Sequence, residues 1–138
     1  PAEEDDRAQR QSCTQNDHSS SSISCCCWSL QPCRAFKRLP FCSGQMPIDP
    51  VTGNFVEGDI RAQTGRVLDN VKAILDHEQL RFNQGVKSTV LLVCLPDFGA
   101  MNEVYVLFFH GDFLVRSTVQ VAALPCGANV ETDGRAYS

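Results

Sequence analysis

The stretch VKSTVLLVCLPDFGAMNEVYVLFF, Val86 to Phe109, decides the architecture. Val86–Leu95 is rich in β-branched residues and reads as a buried strand. Pro96 cannot donate to a sheet ladder and ends that strand. Asp97 is expected to cap a helix that carries Phe98, Met101, Tyr105 and Phe108 along one stripe. A second strand begins at Arg116, in RSTVQVAALP (Arg116–Pro125). Alternate residues of a strand point to opposite faces. Val119, Val121 and Ala123 therefore share one face, expected to be core under the helices, while Arg116, Thr118 and Gln120 share the other. A guanidinium at the head of such a strand calls for a partner on its own face.

The same patterns extend outward in both directions. Upstream, Asp59 is a candidate N-cap for a longer helix, with Ile60, Val67, Leu68, Val71, Ile74 and Leu75 at three- and four-residue spacings. LPFCSGQMPID (Leu39–Asp49) reads as a short strand entering a Gly-containing bend and a Pro-bounded turn. Downstream, PCGAN (Pro125–Asn129) is a turn, and VETDGRA (Val130–Ala136) can form a last strand. The order strand, helix, strand, helix, strand, strand predicts an α/β (α+β) layer, with two helices packed on one face of a mixed sheet.

Before Leu39 the composition changes. An acidic tract, a serine run (Ser19–Ser22) and five of the eight cysteines (Cys13, Cys25, Cys26, Cys27, Cys33) precede it. Polar, low-complexity sequence buries too little apolar surface to offset its ordering entropy. Residues 1–38 are thus expected to be an atypical segment, loosely attached, and 39–138 the folded domain. Within the segment, Ile23–Leu30 is the piece best able to add one strand. The cysteine spacing C-C-C-x5-C lacks the paired C-x2-C of a tetrahedral site, so free thiols are expected and no metal.

The whole chain of 138 residues carries a formal charge of −4, with 43% apolar and 20% charged residues. That balance argues against an obligate nucleic-acid partner, which normally meets a basic face. No apolar run approaches the length of a membrane span. The start PAEEDDRAQR lacks the basic-then-apolar order of a signal peptide, and a cytoplasmic location is expected.

FCSGQMPIDPVTGNFVEGDIRAQTGRVLDNVKAIL (Phe41–Leu75), VKSTVLLVCLPDFGAMNEVYVLFF and RSTVQVAALP together closely resemble the Rid family, also called YjgF, in register from about Phe41 to Glu131. The resemblance implies a chorismate-mutase-like fold assembled as a homotrimer, with active sites in clefts between subunits. It implies hydrolysis of reactive 2-imino or enamino acids, such as 2-iminobutanoate and 2-iminopropanoate, to 2-oxo acids and ammonia, without a cofactor. The implied ligands are therefore small 2-imino and 2-oxo acid carboxylates.

Carried over residue by residue, Arg116 matches the arginine that pairs with the substrate carboxylate. A planar guanidinium grips a carboxylate with two parallel hydrogen bonds, which lysine cannot match. Ser43 and Gly44 match the loop beside the substrate, and Asn102 an asparagine that contributes in some members. Thr118 shares the Arg116 face, where many members have cysteine. Glu131 aligns with a carboxylate that helps activate water, a role suited to the proton transfers of imine hydrolysis. Asp133, on the same strand face, is its expected neighbour in charge.

Both ends depart from the family pattern. The N-terminal GPYSQAV, whose tyrosine reaches the site, has no counterpart, and VETDGRAYS stands where VEIEAIA is usual. Retention of Arg116 and Glu131 favours an imine deaminase, with turnover expected to be weak. The missing tyrosine favours the alternative, a catalytically weak trimeric binding or protein-interaction member, translation-inhibitor-like or chaperone-like.

Overall fold

The structure, a computed structural model, describes residues 33–110 and 114–137. The expected strand at Ile23–Leu30, the serine run and four of the five clustered cysteines lie outside the described residues. Five strands and two helices follow in the order β1 (Cys33–Phe36), β2 (Leu39–Gln45), α1 (Ile60–His77), β3 (Gly85–Leu92), α2 (Phe98–Phe109), β4 (Val115–Gln120) and β5 (Val130–Ala136). The strands form one sheet in the order β1-β2-β5-β3-β4. Only β3 and β4 run parallel; every other neighbouring pair is antiparallel, so the sheet is mixed as the sequence predicts.

The chain folds this way because each element hides one face. Asp59 caps α1, its Oδ1 accepting from the Ala62 N–H at 2.9 Å. From there Ile60, Val67, Leu68 and Leu75 are buried, and so are Gln63 and Thr64 between them. On α2 the buried positions are Met101, Tyr105 and Phe109, which replaces the expected Phe108 as the deepest residue of its turn. A 3-10 turn (Leu95–Asp97) leads into α2, and Asp97 makes no side-chain cap bond. Val67, Leu68, Val90, Leu92, Met101 and Val130 form the centre of the core, each 0–1% exposed. Complete burial of such side chains contributes about 1.5–3 kcal/mol apiece.

VETDGRA becomes β5, the middle of the sheet, despite its charges. Its period of two explains this: Val130, Thr132 and Ala136 turn inward and are buried, while Glu131, Asp133 and Arg135 turn outward. Pairing with β2 on one side and β3 on the other satisfies its backbone. On the N-terminal side of Leu39, where the sequence carries no strand period, β1 forms by pairing with β2 from Cys33↔Cys42 to Phe36↔Leu39. Backbone hydrogen bonding makes that hairpin, not an apolar alternation.

β4 reverses the expected facing. Its register with β3 places Arg116 beside Ser88 and Thr118 beside Val90, both buried under the helices. The Arg116–Thr118 face is therefore the inner one. Val115 and Val119 point the other way, 68% and 45% exposed. Apolar character alone assigned Val119 to the core, but neighbouring strands fix which face of an edge strand looks inward. Among the described residues, no helix is long and apolar enough to cross a membrane.

Candidate active site

α2 and β4 build one cluster. Phe98, Asn102 and Tyr105 are spaced i, i+4 and i+7, one stripe of a helix. They meet Arg116 at the head of β4. The guanidinium donates from Nη2 to Asn102 Oδ1 at 2.8 Å. Its carbon lies 4.5 Å from the centre of the Tyr105 ring and 5.4 Å from that of Phe98. No carboxylate among the described residues pairs with it. Tyr105 is buried, and its hydroxyl shares a 2.7 Å hydrogen bond with Ser88 Oγ. Burial raises the phenol pKa, opposed in part by the Ser88 bond and the Arg116 charge. Thr118 follows on the same face, half-buried. A cation held by aromatic faces and one neutral oxygen keeps N–H groups for an anion from outside.

β2 and β5 build a second cluster. Their pairing passes from Cys42↔Gly134 to Gln45↔Thr132, so three steps on β2 oppose two on β5. The extra residue is a β-bulge at Ser43–Gly44, a device that re-aims groups beside functional sites. Glu131 lies against this bulge: a Cβ on Gly44 would overlap Glu131 Oε1. Here the glycine serves close approach, not an unusual backbone angle. Burial and, second, the Asp133 charge raise the Glu131 pKa above the usual carboxylate range. Asp133 Oδ1 also accepts from the Thr89 N–H at 3.0 Å.

Two amides of α1 fasten this second cluster. Asn70 Nδ2 donates to the carbonyls of Met46 and Ile48 at 3.1 and 2.9 Å, holding the chain just past the bulge. Gln63 Oε1 accepts from the Asn129 N–H at 2.9 Å, two residues before Glu131. Sequence reasoning passed over Gln63, Asn70, Ser88 and the contact of Tyr105 with Arg116. The available signal was a polar residue inside a buried stripe, which must find a partner. Gln63 and Ser88 are 2% and 4% exposed.

The six expected residues thus fall into two groups. Arg116, Asn102 and Thr118 come together, as do Ser43, Gly44 and Glu131. One chain does not join the groups. Glu131 pairs across the sheet with Leu91, and Leu91 with Val119, all on the helix-free face. Arg116 stands on the helix face.

Residues 32–138 match the family model described as Endoribonuclease L-PSP. Protein DfrA of Myxococcus xanthus is 46% identical over 101 residues, covering 73% of this chain and 77% of its own length. The 2-iminobutanoate/2-iminopropanoate deaminase of Mus musculus is 41% identical over 96 residues, covering 70% of this chain and 71% of its own. The crystal structure of YyfA from Yersinia pestis, a protein of unknown function of the Rid family, superposes with a TM-score of 0.78 at 34% identity, covering 90% of this chain and 96% of that one.

Proposed function

This chain belongs to the Endoribonuclease L-PSP family, the YjgF or Rid family, and on that premise we propose that it hydrolyses small 2-imino acids to 2-oxo acids and ammonia. The observation that carries the reading is Arg116, a guanidinium over the Tyr105 ring with no carboxylate partner among the described residues. Such a group suits the planar carboxylate of a 2-imino acid. In this reading Glu131 takes a proton from water as the oxygen bonds to the C=N carbon. It then returns that proton to nitrogen, protonated already in the iminium form, and the carbinolamine hydroxyl gives its remaining proton to Glu131 as the C–N bond breaks, forming the C=O and releasing ammonia. Ser43 and Gly44 offer close backbone approach, and Thr118 lines the Arg116 side.

Because the two groups lie on opposite faces of one sheet, the site needs two copies: Arg116 of one facing Glu131 of another. A closed homotrimer meets this requirement with three equivalent sites. The helix-free face supports the assembly, since Phe41, Val115 and Val119 leave it 40%, 68% and 45% exposed. Light scattering at micromolar concentration is expected to give three times the chain mass, and a monomer throughout would reject the assembly. The direct test of function is release of 2-oxobutanoate from enzymatically generated 2-iminobutanoate. The alternative, a weakly active carboxylate-binding member, is favoured by one feature: among the described residues no tyrosine lies at the Ser43–Glu131 cluster. Binding of 2-oxobutanoate without turnover would establish it.

Glu131 must be ionised to act as base, and its pKa is raised by burial first and by Asp133 second. The acid limb of kcat is therefore expected above the ordinary carboxylate range of about 4. Asp133→Asn removes the like charge while its amide oxygen can still accept from Thr89. The limb should move down part of the way, because burial remains. A limb that stays in place would show that Asp133 does not tune the base.

Gly44→Ala tests the close approach. Gly44 is exposed and is not among the glycines with positive φ, so alanine suits its backbone. The new methyl must push the Glu131 carboxylate aside. A displacement on the order of 1 Å lowers turnover by about 100-fold, with little change in melting temperature. Turnover equal to wild type would remove Glu131 from the chemistry or show that it has room to move.

A further inference from the structure

We propose that Tyr105 is a positioning residue that sets the plane of the Arg116 guanidinium, and that Ser88 holds Tyr105 in turn. The inference rests on the reading of Arg116 as the carboxylate-binding group. A guanidinium offers two flat faces and an edge bearing five N–H donors. An aromatic ring attracts the cation through a face and consumes no donor. A carboxylate neighbour would instead occupy the fork that a ligand needs. The Tyr105 ring, 4.5 Å from the guanidinium carbon, supplies the first kind of contact, and Asn102 takes one donor at Nη2.

The ring is itself fixed at two places. Its face stacks on Phe109, centroids 4.5 Å apart and planes 20° from parallel. Its hydroxyl meets Ser88 Oγ at 2.7 Å, with Tyr105 3% and Ser88 4% exposed. Ser88 is also the register partner of Arg116 on β3, so the three residues close a triangle between sheet and helix. Buried hydroxyls need partners, and these two satisfy each other. An apolar pair would fill the space without fixing the ring. A phenol is neutral at neutral pH, and burial raises the Tyr105 pKa further, so no competing anion forms beside Arg116.

The test uses the full chain and two readouts. One is the order of the Arg116 Nε–H bond from ¹⁵N relaxation of the ligand-free protein; the other is calorimetric affinity for 2-oxobutanoate. Tyr105→Leu should lower the order and weaken binding about 10-fold, the scale of a desolvated cation–π contact. Tyr105→Phe and Ser88→Ala keep the ring and free its tilt. Each should lower the order less and weaken binding about threefold, and they decide the matter if Tyr105→Leu does not fold. A role in packing alone would lower melting temperatures while leaving both the Nε–H order and the affinity at wild-type values, and that result overturns the inference. If wild-type protein itself fails to bind 2-oxobutanoate, the carboxylate reading falls and this inference with it. Binding by wild type, unchanged in folded Tyr105 variants, sinks the inference alone.

Discussion

Arg116→Lys is expected to weaken binding of 2-oxobutanoate by about 10- to 100-fold, the scale of one lost charge-assisted hydrogen bond, in a protein that still folds. Lysine keeps the charge but loses the two-pronged edge and the flat surface that lies over Tyr105. The fold should survive because the core is built from Val67, Leu68, Val90, Leu92 and Met101, not from this side chain. Calorimetry on the variant, with circular dichroism as control, measures the effect. Unchanged affinity in a folded variant would show that the carboxylate binds elsewhere.

Glu131→Gln should lower kcat by about 100- to 10,000-fold, the usual contribution of a positioned general base, while affinity for 2-oxobutanoate changes little. In this reading Arg116 grips the carboxylate and Glu131 serves the C=N end, so the substitution leaves that grip in place. The same variant carries a stability test with a definite sign. The folded-state pKa of Glu131 is raised, by burial and then by Asp133. Its ionised form is therefore disfavoured in the folded protein at pH values above the shifted pKa. Glutamine removes that penalty, so the variant should melt higher than wild type at neutral pH. The difference should fade as pH falls through the shifted pKa, because wild-type Glu131 is then neutral too. A variant with full turnover would exclude Glu131 as the base. A variant less stable at neutral pH would show that the carboxylate has a favourable partner in the folded state.

Much of this was legible along the chain. The three- and four-residue spacing of Ile60, Val67, Leu68 and Leu75 marked α1, and Asp59 marked its start. β-branched density marked β3, but the strand ends at Leu92, ahead of the 3-10 turn that holds Pro96. These features are local: each depends on residues a few positions apart, and the physics of a turn or a strand acts at that range. The motifs around Ser43, Asn102, Arg116 and Glu131 were legible for a different reason, since resemblance to a family carries them without reference to geometry. β1 was not legible, because its hydrogen bonds come from β2 and not from its own side-chain pattern. β5 stood only as a possible strand, since Glu131, Asp133 and Arg135 mask an alternation that matters only on its inner face.

By itself, then, the sequence determined the elements from β2 to β5, their order and the chemical character of the candidate site. Tertiary structure alone decided which way β4 faces. Alternation divides a strand into two faces, but the sequence does not say which one meets the helices. The β3 register settled it, by placing Arg116 beside Ser88 and Thr118 beside Val90. It also alone decided that Arg116 and Glu131 part company. Both are polar residues of neighbouring motifs in the chain, yet β3 lies between their strands and the pleat sends them to opposite sides. A sheet separates what its strands carry by parity and pairing, and pairing is set by contacts between segments far apart in the chain.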